Sequence, residues 1–105
     1  MGFFDFFKQK DINSYLKEYK KDKNSILLDV RTEDEFKNGK IPESVNIPLD
    51  NLNNVESILK DKNKKIYVYC RSGARAAKAK NILNEKGYDA INIGGILDYK
   101  GKIEK

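Results

Sequence analysis

The 105-residue chain is expected to fold as an α/β domain with a central, mostly parallel sheet and helices on both faces. Three observations carry that expectation. Short apolar runs bounded by polar residues alternate with amphipathic stretches. The most apolar run, KKIYVYC at 64–70, leads into an Ala/Lys-rich helical stretch and then AINI at 90–93, the pattern of a βαβ unit. No Pro/Gly/Ser linker and no internal repeat intervenes, so residues 1–105 read as one domain, with 1–10 as an aromatic N-terminal segment.

In order along the chain, INSYLKEYKK at 12–21 places Ile12, Tyr15, Leu16 and Tyr19 at helical spacing, with Asn13 as a candidate N-cap. SILLDV at 25–30 is a continuous apolar run short enough for a strand buried on both faces. TEDEF at 32–36 sets Thr32 three residues before Glu35, a capping box, and Gly39 closes that short helix. Two prolines bracket a third strand at 45–47. LDNLNNVESILK at 49–60 reads as an amphipathic helix with Leu49, Leu52, Val55, Ile58 and Leu59 on one face. After the 64–70 strand, ARAAKAKNILNEKG at 74–87 is a helix closed by Gly87, and 90–93 is a further strand.

The bulk numbers exclude several classes. No apolar run approaches the roughly 18 residues of a membrane span. One cysteine makes no internal disulfide, which suits a reducing cytoplasm. With no histidine and one thiol, neither a metal site nor a cofactor is expected. The net charge of +5 is spread as lysines among acids, without aromatic residues interleaved on one face, so a solvated surface is expected rather than nucleic-acid binding. MGFFDFFKQK carries four phenylalanines but lacks the basic and long apolar regions of a signal peptide, and Phe6 stands where a myristoylation signal would want Ser or Thr. Its rings are expected to staple the N-terminus onto the domain. A short anchor for a membrane surface or a partner is the other reading.

The chemistry concentrates in IYVYCRSGAR at 66–75. Cys70, the only cysteine, stands where a strand hands over to a helix N-terminus. Unpaired backbone N–H groups and the positive end of the helix dipole gather there and favour an anion or a thiolate. A Cys–His dyad is excluded, because the chain has no histidine. Of 21 basic residues only Arg31, Arg71 and Arg75 are arginines, and two of these lie within six residues of chain beginning at the cysteine. The planar guanidinium fork suits an oxyanion better than a lysine point charge. Alone, Cys70 would read as a small buried hydrophobe; the Arg-Ser-Gly-Ala-Arg sequence after it points to function. In a parallel sheet the ligand sits at the carboxyl ends of the strands, which is where Cys70 lies.

Four fragments, in order, resemble the single-domain rhodanese family of sulfurtransferases. LLDVRTEDEF is similar to the family's Asp-x-Arg strand end and Glu-Phe helix, and GKIPESVNIP to its Gly-His-Ile-Pro-Gly-Ala-x-Asn-Ile-Pro stretch. YVYCRSGARA is similar to its active-site loop, and GYDAINIGGI to its closing strand and double-glycine turn. The resemblance implies that Cys70 is the nucleophile that becomes a persulfide. It implies that Arg71, Ser72, Gly73, Ala74 and Arg75 cradle the sulfur with their backbone N–H groups. Arg71 and Arg75 are candidates for binding the donor's anionic part, with bracing of the loop as the alternative role for one of them. Asp29 and Arg31 match a structural pair and are read as loop support, against the plainer reading of an ordinary ion pair. Lys40, Glu43 and Ser44 depart from the pattern at positions expected to concern packing and the loop rim. Tyr99 replaces a common tryptophan, so a different substrate-access surface is expected there.

The implied activity is transfer of a sulfane sulfur from a small anionic donor such as thiosulfate, or a persulfide, to cyanide, a thiol or a protein cysteine, by a monomer. A persulfide carrier or protein-interaction module with little thiosulfate turnover is the alternative of another class. A cysteine-dependent phosphatase would want Cys-x5-Arg to embrace phosphate, and here only four residues separate Cys70 from Arg75. Arsenate reduction rests on the same anion-cradle logic.

Overall fold

The computed structural model describes residues 10–105, so the expectation for the four phenylalanines lies outside the described residues. The elements are α1 (Ile12–Lys21), β1 (Ser25–Asp29), α2 (Glu33–Lys37), β2 (Val45–Asn46), a 3-10 helix (Leu49–Asn54), α3 (Val55–Ile58), β3 (Lys65–Cys70), α4 (Ala74–Glu85), β4 (Asp89–Gly95) and a closing 3-10 turn (Ile96–Asp98). The strands form one parallel sheet in the order β2-β1-β3-β4, the expected α/β class.

Strand alternation divides the core in two. In β3, Ile66, Val68 and Cys70 face one side, with Leu28, Leu52, Val55 and the α4 residues Ala76, Ala79 and Leu83. Tyr67 and Tyr69 face the other side, with Leu27 and the α1 residues Ile12 and Leu16. Both faces are covered, which is why this strand is apolar without alternation. Burying Ile12 and Leu16 contributes roughly 1.5–3 kcal/mol each and seats α1 on the sheet. The same alternation turns Cys70 toward α4.

Several elements differ from the sequence reading. The cap of α1 is Asp11, whose carboxylate accepts from the Ser14 N–H at 3.0 Å. Asn13 instead ties α1 to the segment after β4, donating to the Asp98 carbonyl and accepting from the Lys100 N–H. The 49–60 stretch is not one helix. Asn51, Asn53 and Asn54 favour turn-like backbone over helix, and the chain makes a 3-10 helix and a single α turn. Leu52 and Val55 are buried as expected, but Ile58 is 57% exposed. Strand β4 runs on through Gly94 and Gly95, with a register shift opposite Val68 and Tyr69.

Neighbour order fixes where a site can be. From β1 the chain goes outward to β2, and from β3 it goes outward to β4 the other way. The connections leaving β1 and β3 therefore part at the carboxyl ends of these two strands and open a crevice between them. Among the described residues, no helix is long and apolar enough to cross a membrane.

Behind the sheet, the fully buried Tyr69 hydroxyl accepts from the Ile41 N–H at 3.1 Å and lies 3.0 Å from Ser44 Oγ. Ser44 Oγ also donates to the Ile41 carbonyl at 2.7 Å. Tyr69→Phe strands the Ile41 donor in the core. It is expected to lower unfolding free energy by about 1–3 kcal/mol in urea denaturation, with an unchanged m-value.

Candidate active site

Cys70 is the last residue of β3, and the loop after it curls back on its own sulfur. Gly73 sits at a φ of 112°, a conformation costly for any residue with a Cβ. That turn sends the Gly73 N–H to Cys70 Sγ at 3.0 Å, and the first turn of α4 adds the Ala76 N–H at 3.4 Å. Gly73 is the N-cap of α4 and has no side chain to cap with. The sulfur does that work: Ala76 is the third helical residue, whose amide an N-cap oxygen normally takes. Ala74 and Arg75, one and two residues into the helix, have no intrahelical carbonyl for their own N–H groups. The first turn of α4 contains no acid, whereas that of α2 contains Glu33, Asp34 and Glu35. The positive end of α4 is thus left for the sulfur and whatever charge it carries.

The loop is held from both sides. On the β4 side, Asn92 Nδ2 donates to the Gly73 carbonyl at 3.2 Å while its Oδ1 accepts from the Gly94 N–H at 2.9 Å. The Leu97 N–H donates to the Arg71 carbonyl at 3.2 Å. Gly95 lies directly beneath, where an added Cβ would come within 2.1 Å of the Arg71 carbonyl oxygen and 2.5 Å of Ser72 Cα. On the β1 side, Arg75 grips Glu35 with both arms of its fork, at 2.6 and 3.0 Å. Glu35 also completes the expected capping box with Thr32. The Arg75 hydrogen bond, with help from the Thr32 amide, lowers the Glu35 carboxyl from 4.5 to about 2 against its partial burial.

Not every candidate residue converges. Arg71, Ser72 and Ala74 are exposed at the rim. Cys70 itself is only 1% exposed. Asp29 lies in β1 on the Leu27 side, and the Arg31 guanidinium stacks 5.7 Å from the Tyr69 ring, so both are behind the sheet from the sulfur. They form a buried pair, 0% and 7% exposed at the side chains, with Arg31 Nη2 2.7 Å from Asp29 Oδ2. The same Arg31 nitrogen donates to the Gly39 carbonyl at 2.7 Å. Asn46 Nδ2 donates to the Asp29 and Arg31 carbonyls. The pair is buried, unlike an ordinary surface ion pair, and ties the end of β1 to the Gly39 carbonyl.

Lys40 pairs with Glu104 through backbone and side chain, joining the C-terminal residues to the domain. Tyr99 is partly buried. It packs on the α1 side, donates to the Lys102 carbonyl at 3.0 Å and closes over Gly101. A cleft lined by Leu16, Tyr19, Ile41 and Tyr99 opens on that side and does not include Cys70. Nearer the loop is a small cleft lined by Val30, Thr32, Pro48, Leu49, Asp50 and Arg75.

Sequence reasoning missed four contributors: the Ala76 amide, Asn92, Gly95 as the floor under Arg71, and Glu35 as the partner of Arg75. The double glycine was visible, but only the fold shows that its second member touches the loop.

Two outcomes follow. Gly95→Ala has no room except by displacing the Arg71–Ser72 backbone. It is expected to cost about 1–3 kcal/mol in chemical denaturation and to leave the β3–β4 core amides protected in hydrogen exchange. The depressed Glu35 carboxyl contributes stability that is fully present above pH 4.5 and is lost as pH falls toward about 2. The stability gap between the native protein and Glu35→Gln is expected to shrink by about 1–2 kcal/mol from about pH 5 to pH 2, a figure already reduced for solvent screening.

Residues 13–102 match the family described as Rhodanese-like domain. The thiosulfate sulfurtransferase PspE of Escherichia coli (strain K12) is 34% identical over 73 residues, spanning 68% of this chain and 70% of that protein. A rhodanese-like domain protein from Staphylococcus aureus superposes with a TM-score of 0.75 at 30% identity, covering 92% of this chain and 96% of that one. A rhodanese from E. coli, solved with anions, gives a TM-score of 0.70 at 31% identity over 77% and 98% of the two chains. Sequence match and fold agree along nearly the whole length, and the chain belongs to the rhodanese-like domain family of sulfurtransferases.

Proposed function

We propose that the protein transfers a sulfane sulfur through a persulfide on Cys70. The observation that carries this reading is the pair of backbone N–H groups, from Gly73 and Ala76, aimed at Cys70 Sγ inside a loop that ends in Arg75. In the first step the Cys70 thiolate attacks the outer sulfur of thiosulfate. A new S–S bond forms, the bond to the sulfonate sulfur breaks, and its electron pair leaves on sulfite. In the second step an acceptor such as cyanide, a thiol or a protein cysteine attacks the outer sulfur of the persulfide. The Cys70 thiolate leaves, and thiocyanate or a new persulfide is the product. No cofactor and no general base enters either step.

The side chains divide the work. Gly73 and Ala76 hold Sγ, and the remaining amides of the α4 first turn, from Ala74 and Arg75, are assigned to the negative charge of the outer sulfur. Losing one such donor costs roughly 2.7–4 kcal/mol in enzymes that use them, so the loop's shape matters nearly as much as the thiol. Arg71 is exposed and meets the anionic end of the donor, with Ser72 beside it. Arg75, committed to Glu35, braces the loop, and Asp29 with Arg31 supports it from behind the sheet. A phosphatase is disfavoured by the same contacts: the loop has one residue fewer than Cys-x5-Arg, and its arginine is already gripped by a carboxylate.

One observation favours a second reading, relay of the persulfide to a protein. Leu97 is 61% exposed and its N–H bonds the Arg71 carbonyl, which gives the loop an apolar rim. A monomer in a reducing compartment such as the cytoplasm suits either reading, since a lone thiol stays free there.

Intact mass after incubation with thiosulfate tests the proposal. The native protein is expected to gain one sulfur atom and Cys70→Ser none; no gain on folded, reduced native protein, with thiosulfate or with a persulfide donor, overturns the reading. Arg71→Ala is expected to raise the thiosulfate KM about tenfold or more with a smaller change in kcat, as loss of a charge-assisted contact to the bound donor should.

A further inference from the structure

We propose that Glu35 is a positioning residue for the sulfur-transfer loop: its carboxylate fixes Arg75 across the crevice, so that Arg75 shapes the loop and Arg71 alone is left to meet the donor's charge. The inference rests on the sulfurtransferase reading for its kinetic part and on geometry alone for its structural part.

Glu35 and Arg75 come from the two sides of the crevice. Glu35 is on α2, which follows β1, and Arg75 is on α4, which follows β3. The two are 40 residues apart in sequence and joined by a bidentate pair, Nη1 to Oε1 at 2.6 Å and Nη2 to Oε2 at 3.0 Å. A capping box needs far less than this carboxylate does. Its Oε1 accepts from the Thr32 N–H at 3.0 Å and the Thr32 hydroxyl at 3.1 Å, in addition to Arg75. Glutamine at this helix position would serve the cap about as well. What glutamine cannot supply is the second anionic oxygen that a guanidinium fork needs.

The consequence for the loop follows from position. Arg75 is the second residue of α4 and directly precedes Ala76, whose N–H is on Cys70 Sγ. Fixing the Arg75 side chain fixes the first turn that carries this donor. Both side chains are about one-third exposed, at 29% and 34%, so the pair is sheltered enough to be held yet open toward the small cleft that Arg75 lines with Thr32 and Leu49. Arg71, by contrast, has no carboxylate partner among the described residues. One arginine is therefore spent on structure and one is free.

Glu35→Gln separates the two roles of this side chain, because the capping box survives and the fork contact does not. Amide hydrogen exchange at residues 73–76 is expected to speed up about tenfold or more in this variant, with exchange in β3 and β1 unchanged. In the thiosulfate and cyanide assay, kcat is expected to fall about tenfold or more with KM changed less than about twofold, the signature of a lost alignment rather than a lost substrate contact. Arg75→Lys, with a point charge in place of the fork, falls between the two. The double variant Glu35→Gln with Arg75→Gln is no worse than either single Gln variant, since the pair acts as one unit. Unchanged loop exchange in Glu35→Gln overturns the proposal, and so does a raised KM at unchanged kcat or additive losses in the double variant. If the native protein takes up no sulfur, the sulfurtransferase reading fails by itself, and the exchange measurement still decides whether Glu35 holds the loop.

Discussion

The turn at Gly73 sets the geometry of the whole mouth. With its φ at 112°, the chain after β3 reverses tightly enough for a backbone amide three residues on to reach the Cys70 sulfur. A residue with a Cβ would resist that conformation, and a polar side chain there would cap α4 itself and take the amide that now belongs to the sulfur. The neighbours each oppose the loop's opening. Asn92 takes the Gly73 carbonyl, Gly95 lets the Arg71 backbone lie flush on β4, and Glu35 holds Arg75. In the proposed transfer the charge on the sulfur meets dipoles already in place, which is where most of the advantage of such a site arises.

The sheet supplies the rigid base for this turn. Parallel pairing puts the ends of β1, β3 and β4 at one edge, and the neighbour order opens the crevice between β1 and β3. Strand alternation then decides which side chains share the site. Cys70 faces α4 with Ile66 and Val68, while Asp29 faces the Tyr69 side, so the thiol and the buried ion pair at neighbouring strand ends are kept apart by the sheet. Desolvating two charges costs several kcal/mol per ion, and the pair is retained where its hydrogen bonds also fasten the Gly39 carbonyl. The role that fits is to keep the β1 end in place beneath Thr32 and Glu35.

Much of this was readable from the residues. The continuous apolar run ending at Cys70, the alanine-rich helix after it and the Thr32/Glu35 spacing are local signals, and local signals survive folding well. The resemblance of four ordered fragments added the family. What stayed hidden is non-local. Glu35 has a complete local explanation as a cap, so nothing in its spacing points to an arginine 40 residues on. Asn92 reads as an ordinary strand residue until the register shift brings its amide to Gly73. Asn13 looked like a cap because its tertiary partners, Asp98 and Lys100, are invisible to a window of that length. The 49–60 stretch has a helical stripe, but its asparagines break the backbone pattern that the stripe implies. Tyr99 packs on the α1 side with its ring against Gly101, a contact that its place after the double glycine does not reveal.

In the proposed reaction the site works in two steps, with the sulfur held on Cys70 between them. The most direct test is the stoichiometry of sulfite released on mixing the protein with thiosulfate in the absence of any acceptor. A single burst of one sulfite per chain is expected, which stops, resumes when cyanide is added, and is absent from Cys70→Ser. Sulfite release that needs the acceptor from the outset, or a burst that survives loss of the thiol, would contradict it.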